Sequence, residues 1–139
     1  MAYLLDTDIC IFYLKGKYKM NNKIKSVGLE NCFISELTIA ELFYGVEKSE
    51  NSERHLPDIE KVKEAFTILP IFNSFEKYAS ERYRLQKLGL LIPDFDLLIG
   101  VTSIVHSIKL VTNNVKHFKR IEGVEIENWS LQEFNDFID

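Results

Sequence analysis

Cysteine occurs only twice, as Cys10 and Cys32, too few for a disulfide scaffold and without the spacing of a metal-binding pair. The pattern predicts two buried, reduced thiols in a cytoplasmic protein. No stretch approaches the roughly 20 apolar residues needed to span a bilayer. Asp6 and Asp8 stand where a secretory leader wants positive charge and a long apolar run, so a soluble, intracellular chain is expected. Acidic residues are missing from positions 9–29, where Lys15, Lys17, Lys19, Lys23 and Lys25 fall. Basic residues are missing after Arg120, while Glu122, Glu125, Glu127, Glu133, Asp136 and Asp139 accumulate. The total of 17 Lys and Arg against 21 Asp and Glu gives a net charge of −4, which alone argues against nonspecific nucleic-acid binding. Its uneven distribution keeps an anionic ligand admissible.

Internal repeats, low-complexity tracts and linkers are also lacking. What is present suits a single domain over residues 1–139, with 46% apolar and 12% aromatic residues to fill one core. Tyr3-Leu4-Leu5 reads as a buried strand ending at Asp6, and a helix with Ile9, Phe12 and Tyr13 follows. Cys32-Phe33-Ile34 is a second strand, which Leu37 can extend, and Thr38-Ile39-Ala40-Glu41 opens a helix. Residues 52–66 form a charged amphipathic helix with Leu56, Ile59 and Val62 at helical spacing, and 67–72 a third strand. Residues 74–88 are helical up to the stop at Gly89. Residues 94–107 are apolar nearly all round, which predicts a buried helix. Lys109-Leu110-Val111-Thr112 marks a fourth strand and Val124-Glu125-Ile126 a fifth. Strands alternating with helices imply an α/β fold: three layers, with a mainly parallel sheet of four to five strands between helices.

In such sheets ligands bind beyond the carboxyl ends of the strands. Asp6 and Asp8 follow the first strand, and Glu41 falls in the first turn of the helix after the second. Asp94 and Asp96 open the buried helix, and Thr112 with Asn114 closes the fourth strand. Carboxylates converging in a cleft repel one another unless a divalent cation neutralises them. Oxygen ligands without His or Cys suit Mg²⁺ or Mn²⁺. Bound beside a phosphodiester, such ions activate water and stabilise the leaving oxygen.

Each residue also has a plainer role. Asp6, Asp8 and Asp94 are natural helix caps, Thr38 to Glu41 fits a capping box, and Asn114 is ordinary turn chemistry. Their shared edge is what favours chemistry. Lys116, His117, Lys119 and Arg120 follow the proposed cleft and are candidate phosphate contacts, or else a solvated loop. His55 is expected at the surface and His106 in the packing. Phe33, Phe43, Phe72 and Tyr83 read as core.

Four motifs taken together resemble PIN domains of the VapC toxin type. They are Leu4-Leu5-Asp6-Thr7-Asp8-Ile9; Thr38-Ile39-Ala40-Glu41-Leu42-Phe43-Tyr44-Gly45; Ile92-Pro93-Asp94-Phe95-Asp96-Leu97-Leu98-Ile99; and Leu110-Val111-Thr112-Asn113-Asn114 running on to Phe118. Any one is weak, and four in order across nearly the whole chain are specific. The resemblance implies a metal-dependent endoribonuclease with Asp6, Glu41 and Asp96 as metal ligands and Asn114 as a fourth active-site position. It implies Mg²⁺ or Mn²⁺ as cofactor, RNA as substrate (structured RNA such as tRNA), a VapB-like antitoxin bound across the groove, and a homodimer. Two departures stand out. Asn114 replaces the Asp found in many PIN nucleases, which weakens the case for a second ion, and Gly100 stands where Ala is usual. The alternatives are a degenerate PIN module that binds without cleaving, and a haloacid-dehalogenase-type phosphatase. The phosphatase motif D-x-D-x-T wants Thr where this chain has Cys10. A receiver-like module is disfavoured because Asn73 stands where its acceptor Asp would.

Overall fold

Tyr3–Leu5 (β1) is short and apolar on both faces, as a strand covered from both sides must be. It lies at the centre of a five-stranded parallel sheet in a computed structural model that describes residues 1–131. The order is β3-β2-β1-β4-β5, with β2 at Cys32–Ser35, β3 at Thr67–Leu69, β4 at Lys109–Val111 and β5 at Ile126–Glu127. The helices are α1 (Thr7–Lys15), α2 (Met20–Val27), α3 (Glu36–Lys48), α4 (Ser52–Ala65), α5 (Phe75–Leu88), α6 (Asp94–Val105) and α7 (Val115–Phe118). The chain builds outward from β1 to β3 on one side, then crosses over to β4 on the other. The order therefore reverses beside β1, at the carboxyl ends of β1 and β4.

Alternation along β1 divides the core. Tyr3 and Leu5 face a cluster with Ile9, Met20, Ile24, Leu42, Val62 and Trp129, so α1 to α4 cover that side. Leu4 faces the opposite cluster of Leu85, Leu97, Val101, Leu110, Phe118 and Ile121, covered by α5 to α7. Burying each large aliphatic side chain contributes roughly 1.5–3 kcal/mol. Helix α6 buries two hydroxyls, and both are satisfied within the helix: Thr102 Oγ1 donates to the Leu98 carbonyl and Ser103 Oγ to that of Gly100.

A second tie holds the far side together. Glu81 on α5 is buried at 3% exposure, and its carboxylate accepts from Arg84 Nε and Nη2 at 2.8 and 2.7 Å. It also accepts from the Glu122 amide at 2.7 Å, while Arg84 Nη2 reaches the Arg120 carbonyl. The fork of Arg84 holds the Glu81 carboxyl below its usual range.

Several sequence-based expectations change. Ser35, not Thr38, caps α3, accepting from the Leu37 amide, so Leu37 lies in the helix and Glu41 falls in its second turn. The Thr38–Glu41 capping box does not form. Pro93 occupies the cap position of α6, which leaves Asp94 as its first residue. The third strand stops at Leu69, and the fifth begins at Ile126. Phe43, Phe72, Tyr83 and Leu56 are exposed, because their helix faces and loops find no covering layer; Phe33 packs at the edge of the core. Cys10 and Cys32 are buried and free, and His55 is exposed. No helix of the described residues is long and apolar enough to cross a membrane. Glu133, Asp136 and Asp139 of the acidic tail lie outside the described residues.

Gly100 has a packing reason. A Cβ there would sit 2.3 Å from Ile121 Cδ1 and 3.3 Å from Phe118 Cδ1, so its absence lets α7 approach α6. Gly100→Ala gains about 1 kcal/mol of helix propensity but overpacks a core contact at a cost of about 1–3 kcal/mol. In urea unfolding, Gly100→Ala is expected to destabilise the wild type and to be neutral or stabilising in an Ile121→Val background. Additive effects of the two changes would contradict this packing account.

Candidate active site

Asp6 sits where β1 ends and α1 begins, at 5% exposure. Its backbone amide donates to the Val111 carbonyl, which fixes the carboxylate at the β1–β4 junction. Oδ1 accepts from the Thr7 amide at 2.8 Å and so caps α1, while Oδ2 accepts from Thr112 Oγ1 at 2.8 Å. The cap and the site are the same carboxylate. Thr112 Oγ1 in turn accepts from the Asn114 amide at 2.9 Å. The Asn114 side-chain nitrogen lies 2.9 Å from His117 Nδ1, which is 3.7 Å from Asp96 Oδ2. On the other flank, Thr7 Oγ1 donates to Glu41 Oε1 at 2.6 Å and lies 3.0 Å from Thr38 Oγ1. The site is a continuous arc: Glu41, Thr7, Asp6, Thr112, Asn114, His117, Asp96.

The electrostatics follow from burial. The Asp6 carboxyl is pushed up to about 7, first by desolvation; the Thr112 and Thr7 bonds oppose this, and Asp8 and Asp96 add repulsion. Glu41 is raised by burial, relieved by Thr7 and raised further by Asp96 and Asp8. Asp96 is raised by burial, with His117 opposing and Asp8 adding. These carboxylates sense one another, and no Lys or Arg of the described residues pairs with Asp6, Glu41 or Asp96. Asp8 is exposed and acts on the cluster only through its charge.

Asp94 stands apart. Tyr78 Oη donates to its Oδ1 at 2.8 Å and Arg82 Nε at 3.1 Å, and the tyrosine bond leads in lowering its carboxyl pKa. Its charge is already answered by α5. Of the basic candidates on and after α7, Lys116 and Lys119 are exposed, whereas Arg120 Nη1 points at the carbonyls of Leu90 and Leu91, at 3.4 and 3.2 Å.

Among the described residues no three His, Cys, Asp or Glu side chains converge closely enough to hold one ion as they stand. The donor chemistry nevertheless fits a hard divalent cation: oxygen ligands, mutual repulsion and no Lys or Arg beside them among the described residues. Asp6, Glu41 and Asp96 are the residues able to supply it. Sequence reasoning placed these acids on one edge but missed Thr7 and Thr38 as their partners and the link from Asn114 to His117. A signal for the first was present, since Thr38 and Glu41 are three apart and share a helix face.

Known proteins resemble this chain over nearly its whole length. The PIN domain family model matches residues 3–124. The Ribonuclease VapC2 of Rickettsia felis is 36% identical over 132 residues, 93% of this chain and 98% of that one. The tRNA(fMet)-specific endonuclease VapC of Shigella flexneri is 31% identical over 131 residues, covering 94% and 99%. Among solved structures, VapBC2 from Rickettsia felis, bound to a DNA fragment from its promoter, superposes with a TM-score of 0.86 at 34% identity over 93% of this chain and 99% of that one. DNA-bound VapBC from Salmonella typhimurium gives 0.86 at 29% identity, covering 93% and 98%. The chain belongs to the PIN domain family, within its VapC group.

Proposed function

We propose that the protein is a divalent-cation-dependent endoribonuclease, the toxin of a toxin–antitoxin pair, acting in the cytoplasm on structured RNA. The observation that carries this reading is the set of buried and half-buried carboxylates at the strand-order reversal, each raised first by burial and none paired with a Lys or Arg among the described residues. Asp6, Glu41 and Asp96 would hold Mg²⁺ or Mn²⁺. When bound, the ion supplies an activated water and charge stabilisation for the departing sugar oxygen. Residues of the chain do the rest. The N-termini of α1 and α6 lie at the cleft and add partial positive charge for a phosphate. Asn114, held through its own amide by Thr112 and through its side chain by His117, orients water at the mouth. Exposed Lys116 and Lys119 contact flanking phosphates, and Thr112 keeps Asp6 facing the cleft. Cleavage leaves 5′-phosphate and 3′-hydroxyl ends.

A groove of about 530 Å³ between α1, α3 and α4 is lined by Ile11, Leu14, Leu42, Val46 and Ile59, and Glu41 also lines it. It suits an apolar segment of a VapB-like antitoxin whose seat would obstruct the site. Exposed Phe72 and Phe75, edge to face at 5.9 Å, offer apolar surface that a second copy of the chain would cover in a homodimer.

Purified protein incubated with labelled total RNA is expected to give discrete products with Mg²⁺ or Mn²⁺ and none with EDTA. Asp6→Asn and Asp96→Asn should each lower cleavage at least about 100-fold while the fold persists, since each removes charge that the metal needs. Equal cleavage by wild type and both variants would refute the site. The same carboxylates predict a pH dependence. Asp6 titrates near 7 when folded and near 3.8 when unfolded, so between those values the native state binds more protons and metal-free stability falls as pH rises. Glu41 and Asp96 shift in the same direction. The thermal midpoint in EDTA should therefore be lower at pH 8 than at pH 5, and Mn²⁺ should restore it. A midpoint that rises over that interval in EDTA would contradict the account.

A further inference from the structure

The arc has one link that neither the fold nor the capping of α3 requires. Thr38 is fully buried, three residues before Glu41 on the face of α3 that meets the start of α1. Thr7 Oγ1 lies between the two, 3.0 Å from Thr38 Oγ1 and 2.6 Å from Glu41 Oε1. A hydroxyl carries one hydrogen, so while Glu41 is ionised the Thr7 hydrogen is committed to the carboxylate. The proton in the Thr38 contact must then come from Thr38, whose hydroxyl donates to Thr7 Oγ1. The order is fixed: Thr38 to Thr7 to Glu41.

We infer that Thr38 and Thr7 are positioning residues that set the Glu41 carboxylate for a divalent cation. The inference rests on the metal reading of this site. Glutamate is long and flexible, and ordering it when an ion arrives would cost binding free energy. With Oε1 tied to Thr7, that cost is met on folding, and Oε2 has no protein partner among the hydrogen bonds of the described residues. The Thr38 contact orients the Thr7 hydroxyl and strengthens its bond to the carboxylate, as hydrogen bonds in series polarise one another. Thr38 itself is fully buried, and its hydroxyl meets the site through Thr7. Its loss would therefore be felt through Glu41 alone.

The test is Mn²⁺ titration of the metal-free protein, followed by electron paramagnetic resonance of the free ion, with urea unfolding in EDTA alongside. Thr38→Val keeps the shape and removes the donor. It is expected to weaken Mn²⁺ binding by about tenfold, in the range of losses seen for partners that orient metal ligands. Thr38→Ser, which keeps the hydroxyl, should bind within about threefold of wild type. Should Thr38→Val not fold, Thr7→Val against Thr7→Ser asks the same question at the next link. Wild-type affinity in the folded Val variant, or tighter binding, overturns the inference and leaves the metal site standing. Absence of Mn²⁺ binding by the wild type overturns both.

Discussion

A single buried carboxylate constrains the rest of this molecule. Asp6 ends the central strand, is 95% buried (5% exposed), and has no cationic partner among the described residues. Two hydrogen bonds, from the Thr7 amide and the Thr112 hydroxyl, only partly offset its desolvation, so its carboxyl is held near 7 rather than 3.8. A residue whose only task was to cap α1 could do so at the surface at less cost. Here the cap is placed inside the cleft, where other acids raise it further. Strain of this kind at a strand terminus is characteristic of sites built for a ligand of opposite charge.

The topology explains why the acids meet. All five strands are parallel, so each ends on the same edge; a helix that follows a strand starts there, and α6, which leads back into the start of β4, begins there as well. β1 delivers Asp6, β4 delivers Thr112 and Asn114, α3 delivers Glu41 in its second turn and α6 delivers Asp96 in its first. The two core clusters on either face of β1 then hold α3 and α6 at fixed heights above the sheet. Gly100 permits the close approach of α7 that brings His117 within reach of Asp96. Packing, in this sense, sets the spacing of the charges.

Much of this was legible beforehand. The apolar runs of β1, β2 and β4 and the stop at Gly89 are strong local signals, and the acids were readable as a group because parallel connectivity puts strand ends together. What escaped depended on tertiary partners. Ser35 and Thr38 are both good cap residues, and only the position of β2 decides that Ser35 caps α3. Phe43, Phe72 and Tyr83 are core-like by type, yet their exposure depends on which helix faces are covered. Glu81 is buried because the Glu122 amide, 41 residues away, completes its bonds. Asp94 read as a helix cap beside Asp96, and its actual partners, Tyr78 and Arg82, come from another helix. The hydroxyl chain from Thr38 to Glu41 joins residues from two helices, and its Thr7 link spans 34 positions in sequence.

The most direct test of the central claim is a carboxyl-carbon NMR titration of Asp6, assigned by its loss in Asp6→Asn, first in EDTA and then with saturating Mg²⁺. The account predicts a midpoint near 7 without the ion and a marked fall with it, because a bound cation favours the charged form. A midpoint near 3.8 in EDTA, or one that Mg²⁺ leaves unchanged, would contradict the view that Asp6 is a buried charge held in readiness for a cation.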